Sequence, residues 1–252
     1  MLLQSRIALI QIQWLAVLLL CGGSAIADCK VETDQQQNSD GSELRITQTQ
    51  CDQQNQRTFL IELRTDPTSP YTTVLQRNQS LSEFPRGFGH LKDIDADGIL
   101  EYDEVESCGA GPNCSHSIFR IDPKQARAWL LFQGGFFDFR KISDFYVTSG
   151  RSSCCSWEHQ VYAKPDGESS IVEADLRYLI SVSSGHTLRA GTTDQYITTC
   201  RISRPKGESW APVDPESKEL LQLCEIYGKD YILNPPDAAA ENQLHQRGQA
   251  GK

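Results

Sequence analysis

Ser117-Ile118-Phe119-Arg120-Ile121-Asp122-Pro123-Lys124-Gln125-Ala126-Arg127-Ala128-Trp129-Leu130-Leu131-Phe132 is the stretch that decides the fold class. Two short runs of β-branched and aromatic residues, Ile118–Ile121 and Trp129–Phe132, flank Asp122-Pro123-Lys124. Proline presets φ for the start of a turn, and an aspartate before it bonds the backbone N–H groups ahead. The reading is a β-hairpin. Working outward, Glu43–Thr49, Thr58–Arg64, Thr72–Leu75, Ile142–Thr148, Glu158–Ala163, Ile171–Val182 and Gln195–Ile202 have the same character. Glu158–Ala163 and Ile171–Val182 are joined across Pro165-Asp166-Gly167, a second hairpin signal. Many short strands at close spacing predict a mainly β, antiparallel domain, propeller-like or a sandwich. One helix is expected, over Asp214–Tyr227: Asp214-Pro215 opens it, Leu220, Leu221, Leu223 and Cys224 form an apolar stripe, and Gly228 stops it.

The chain has 252 residues and a formal net charge of −9. Residues 1–27 read as a signal peptide: Arg6 is followed by the apolar run Ile7–Leu20 and the small-residue triplet Ala25-Ile26-Ala27. That run is interrupted by Gln11 and Gln13 and is short for a bilayer span, and no later segment is long and apolar enough for one. The mature chain, from Asp28, is the size of one domain, and loss of Arg6 makes it one unit more negative. An acidic surface gains nothing from the counterion release that drives nucleic-acid binding, nor from attraction to anionic lipid, so it disfavours both; no nucleic-acid partner is expected. Residues 28–234 form the expected β-rich domain. Residues 235–252, after Pro235-Pro236, contain nothing able to bury a face and read as a disordered tail.

Of nine cysteines, the eight beyond Cys21 form an even set behind an export signal, which predicts disulfides. Cys29–Cys51 and Cys108–Cys114 are plausible short staples. Cys154 and Cys155 either bond each other or reach Cys200 and Cys224 separately. No CxxC pair is present, so zinc ligation finds no support.

Asp93-Ile94-Asp95-Ala96-Asp97-Gly98-Ile99-Leu100-Glu101-Tyr102-Asp103-Glu104 matches the twelve-residue EF-type calcium loop. Calcium is a hard cation taking six to eight oxygens. Asp93, Asp95 and Asp97 supply carboxylates at positions 1, 3 and 5, and Gly98 permits the sharp bend that turns the Ile99 carbonyl inward. Glu101 at position 9 acts through a water, and Glu104 at position 12 is the expected two-oxygen ligand. The flanks lack an incoming helix, since Phe84-Pro85-Arg86-Gly87-Phe88-Gly89 precedes the loop, and at most one helical turn is expected after it. The expected ion is structural and works no hinge.

No catalytic set is legible. Cys155-Ser156-Trp157-Glu158-His159 has thiol, acid and base, but on a strand Cys155, Trp157 and His159 share a face that Glu158 leaves, so a disulfide beside a core tryptophan is the expectation. The aromatic patch Phe136-Phe137-Asp138-Phe139 reads as core, or as a partner-binding edge.

The stretch from Phe88 to Trp157 resembles a family of exported bacterial proteins with a propeller-like β-domain and a single EF-type calcium loop. The likeness rests on Leu91–Glu101, on Cys108-Gly109-Ala110-Gly111-Pro112-Asn113-Cys114, and on Phe119–Pro123 opening a hairpin. Some members are periplasmic inhibitors or immunity proteins that block peptidoglycan-cleaving effectors. The resemblance therefore implies a periplasmic or secreted, non-enzymatic calcium-binding protein whose partner is a cell-wall hydrolase. The alternatives are an exported glycan hydrolase and a structural envelope or adhesion module.

Overall fold

The computed structural model describes residues 29–51, 56–80, 88–109, 111–187, 195–207 and 209–235. The signal segment 1–27 and all of the tail beyond Pro235 lie outside these residues. The architecture is mainly β and antiparallel. The first sheet has strands β1 (Cys29–Gln37), β2 (Glu43–Cys51), β3 (Gln56–Arg64) and β4 (Thr72–Ser80), each paired with its sequence neighbour. The second repeats that plan with β5 (His90–Lys92), β6 (Glu101–Cys108), β7 (Cys114–Asp122) and β8 (Arg127–Phe136). The third runs through β9 (Asp138–Ile142), β10 (Phe145–Ser153), β11 (Ser156–Ala163), β12 (Leu176–Thr187), β13 (Gln195–Lys206) and β14 (Ser209–Pro212), with β15 (Ile232–Leu233) added parallel to β13. Among the described residues no sheet closes into a barrel, nor do the sheets complete a ring.

Alternation along the strands dictates how the sheets stack. In β2, Leu44, Ile46 and Gln48 point inward, while Glu43 and Arg45 face out and pair with Arg64 and Glu62 across the strand. Leu44, Ile46, Phe59, Ile61 and Leu63 of the first sheet pack on Leu91, Tyr102, Phe119 and Ile121 of the second. The opposite face of the second sheet, with Ile118, Leu131, Phe132 and Phe136, packs on Phe139, Tyr146 and Tyr162 of the third. The far face of the third sheet, including Val147, Val161, Ile180 and Ile202, is covered by Leu220, Leu223 and Cys224. The layers therefore follow chain order, and the second sheet is buried on both faces.

Several expectations are corrected here. The C-terminal helix is a 3₁₀ helix beginning at Lys218, because Val213 and Glu216 remain tied to the third sheet through Val213 N–H to the Ile202 carbonyl and Glu216 N–H to the Tyr178 hydroxyl. Three residues per turn aligns Leu220 with Leu223 on the sheet. Ile142–Thr148 is interrupted: Ile142 ends β9 and Phe145 begins β10, with Ser143 in the left-handed region at φ 53° making the turn.

Among the described residues there are three disulfides: Cys29–Cys51 and Cys108–Cys114, each between directly opposed residues of neighbouring strands, and Cys200–Cys224, which pins the 3₁₀ helix to β13. Cys154 and Cys155 are free thiols on the exposed β10–β11 turn. The expected disulfide beside a core tryptophan is absent because the turn projects beyond the packed layers, and Trp157 is half-buried rather than core.

Asn234 (φ 44°) closes the C-terminal end: its side chain accepts the Ile202 N–H at 2.8 Å and donates to the Val213 carbonyl at 3.1 Å. Replacing Asn234 with Ala strands both backbone groups, so a loss of about 1–3 kcal/mol in urea unfolding is expected.

Candidate metal centre

The acidic loop joins β5 to β6, which pair through His90 with Asp103, Leu91 with Tyr102 and Lys92 with Glu101. It is therefore a hairpin connection held by strands on both sides. Loop carboxylates first satisfy their own backbone: Asp93 Oδ2 accepts the Gly98 N–H at 3.1 Å, Asp97 Oδ1 the Ile99 N–H at 2.8 Å, and Glu101 Oε2 the Ile94 N–H at 2.9 Å. The β1–β2 turn then clamps the loop, with Ser39 N–H donating to the Gly98 carbonyl at 2.9 Å and Leu100 N–H to Asn38 Oδ1 at 2.9 Å. Gly98 needs to be glycine twice over. Its φ is +86°, and a Cβ there would lie 2.0 Å from Ser39 Oγ. Gly98→Ala is expected to cost about 1–2 kcal/mol in the backbone alone, read as a lower denaturant midpoint.

Asp93, Asp95 and Glu101 each bring a carboxylate oxygen within 4.8 Å of the other two. Asp95 and Glu101 are buried and Asp93 is exposed. Asp95 Oδ2 is engaged, accepting from the Tyr146 hydroxyl at 2.9 Å and from Arg120 at 2.6 Å. Asp95 Oδ1 and Glu101 Oε1 are buried with no hydrogen-bond donor among the described residues. Arg120 Nε stands 3.8 Å from Glu101 Oε1, outside hydrogen-bond reach. Burial pushes the Glu101 carboxyl up to about 8, with Asp95 and Asp97 adding to the rise and the Ile94 N–H and Arg120 opposing it. Hard oxygen donors left unsatisfied in a desolvated pocket fit a hard divalent cation, which would supply the missing positive charge.

The other residues read from the sequence sit differently. Asp97 is outside the three-carboxylate group, and its Oδ2 accepts from Arg120 at 2.8 Å. Ile99 lies in the loop beside it, donating its N–H to Asp97. Glu104, expected as the closing two-oxygen ligand, is not in the group. Residues 101 to 108 form a strand rather than a helical turn, so Glu101 and Glu104 fall on opposite faces of the second sheet. Glu104 is fully buried against the first sheet, 3.8 Å from both Arg57 and Arg77. Burial raises its carboxyl to about 7, while Arg77 and Arg57 pull it down.

No family model matches the chain, and no curated protein matches it. Among solved structures it is similar to that titled "Structure of a Xanthomonas Type IV Secretion System related protein", at 13% identity and a TM-score of 0.39, covering 73% of this chain and 93% of that one.

Arg120 and Tyr146 were not legible as part of the centre. The trace in the sequence is an arginine inside the short apolar run Ile118–Ile121, where burial calls for an acid opposite. A cleft of about 370 Å³ opens beside the loop, lined in part by Asp40, Asp97, Asp122 and Trp129. Its carboxylates are all engaged: Asp40 accepts from Ser42, Asp97 from Arg120, and Asp122 from the Lys124 and Gln125 N–H groups.

Proposed function

We propose that the protein is an exported, non-enzymatic calcium-binding β-protein that binds another protein, with inhibition of a cell-wall hydrolase as its most concrete form. The observation that carries the calcium reading is the pair of buried, donorless oxygens, Asp95 Oδ1 and Glu101 Oε1, facing a third carboxylate. Asp93, Asp95 and Glu101 would hold the ion, with the Asp97 carboxylate and the Ile99 carbonyl available from the same loop. Glu101 takes the closing role that the motif gives to its twelfth residue. When bound, calcium supplies positive charge and fixes the β5–β6 connection; with a strand on each side of the loop there is no helix pair to swing, so the role is structural.

Three disulfides fit an oxidising compartment. No helix among the described residues is long and apolar enough to cross a membrane. The propeller-like arrangement belongs to the same proposal, since successive up-and-down sheets stacked face to face in chain order are how blades are built. Of the aromatic patch, Phe136 and Phe139 are core while Phe137 is 55% exposed, its ring centroid 5.5 Å from that of Trp157. An exposed phenylalanine resting on a half-buried tryptophan is a suitable anchor for a protein partner.

Titration calorimetry of metal-stripped protein tests the ion: one calcium per chain supports the reading, and no heat from the folded, oxidised protein overturns it. Incubation with muramidases, with Phe137→Ala in parallel, tests the partner. No complex at micromolar concentration rejects the inhibitor form.

A further inference from the structure

We propose that Cys154 and Cys155 form a redox-active dithiol that interconverts with a vicinal disulfide by exchange with low-molecular-weight thiols and disulfides. The two residues are the turn of the β10–β11 hairpin, closed by the opposed pair Ser153 and Ser156. Both are exposed, and their Sγ atoms stand 2.7 Å apart, well inside the spacing of two sulfurs that merely touch. Their backbone is held from outside the turn: Arg151 donates to the Cys154 carbonyl at 2.8 Å and Ser184 N–H to the Cys155 carbonyl at 2.9 Å. The thiols are thus presented together on a braced backbone, open to solvent.

The chemistry differs from that of the other three pairs. Those join cysteines 22, 6 and 24 residues apart and so restrict the unfolded chain. A bond between adjacent residues closes no chain loop and gains none of that stabilisation. Adjacent Cα atoms are about 3.8 Å apart, below the roughly 4.4–6.8 Å usual for disulfides, so such a bond forms under strain and reduces readily. Exposed, strained disulfides are the labile ones.

In the exchange, one thiolate attacks a small disulfide and expels one thiol. The neighbouring thiolate then attacks the protein sulfur of the mixed disulfide and expels the second thiol. Two electrons and two protons pass from the protein dithiol to the small disulfide, which becomes two thiols. Trp157 follows two residues later, with the Arg151 guanidinium 5.5 Å from its ring centroid, so the turn's redox state is placed to change tryptophan emission.

The test is equilibration of the purified protein in glutathione buffers from fully reduced to fully oxidised, acid quenching, alkylation and peptide mass analysis. It is run once with calcium and once with chelator. This inference needs only the thiols, so it stands or falls separately from the calcium reading. In oxidised glutathione the peptide containing both cysteines should carry no label and be lighter by two hydrogens. Raising reduced glutathione should restore two labels while the other three disulfides stay closed. Cys154→Ser should leave Cys155 as a glutathione adduct, because the resolving thiol is gone. Two labels or two separate glutathione adducts across the whole range would overturn the proposal, as would a pair that opens only together with the other three.

Discussion

Moving the protein from calcium-saturated buffer into chelator is expected to lower its melting temperature by about 5–11 °C. A ligand that binds only the folded state at a hundredfold excess over its dissociation constant contributes about 2.7 kcal/mol. For a domain of this size each kcal/mol shifts melting by about 2–4 °C. Glu101→Gln removes the carboxylate whose Oε1 lacks a donor, and should abolish the calcium-dependent part while leaving the calcium-free protein as stable or more so. The pH dependence follows from the direction of the shift. Without calcium, folded Glu101 titrates at about 8 and the unfolded chain at the ordinary 4.5, so the folded state holds the extra proton between those values. That contribution is complete below about 4.5 and is lost as pH rises through about 8. Calcium must displace the same proton, so its stabilising increment should grow over that window. Melting curves in calcium and in chelator, from pH 5 to 9, check both trends. Coincident curves at every pH would remove the calcium reading.

Glu104→Ala is expected to cost about 3–5 kcal/mol, equally with and without calcium. Taking the carboxylate from a buried ion-pair cluster removes the negative charge that the neighbouring guanidinium groups face, which is the expensive way to break one. Here the counterparts are Arg57, itself buried, and Arg77 on the rim, and the methylenes of Glu104 leave a void between the first and second sheets. The comparison with Glu101 separates two placements of the ion. If Glu104 were the closing ligand of a twelve-residue loop, its loss would erase the calcium increment. If it is a charge buried between sheets, the increment survives in a weaker protein. Denaturant unfolding of both variants at two calcium concentrations decides between them.

The hairpins around Asp122-Pro123 and Pro165-Asp166-Gly167 were legible because turn chemistry and alternation agreed. β1 was not, because Lys30, Glu32 and Asp34 line an edge strand with little apolar face to betray it. β6 was missed for the opposite reason. Glu101 and Glu104 read as loop ligands, yet burial on both faces of a central strand overrides that polarity once each finds a counter-charge or an ion. The donor types in the loop were local information and could be read directly. Which carboxylates converge was not, since it depends on the strand's two-residue period and on Arg120 and Tyr146 arriving from distant strands. That period alone turns Glu104 away from the Asp93, Asp95 and Glu101 group.

Since the middle sheet is greasy front and back, the chain cannot be trimmed from either end without undressing it. Removing β1–β4 would bare Leu91, Tyr102 and Phe119, and stopping before β9 would bare Ile118, Leu131 and Phe136. A chain threaded through a membrane amino end first would carry the waiting face of each newly emerged sheet until the next one covered it. It is therefore vulnerable to clumping twice, between the arrival of β4 and of β8 and again between β8 and the third sheet.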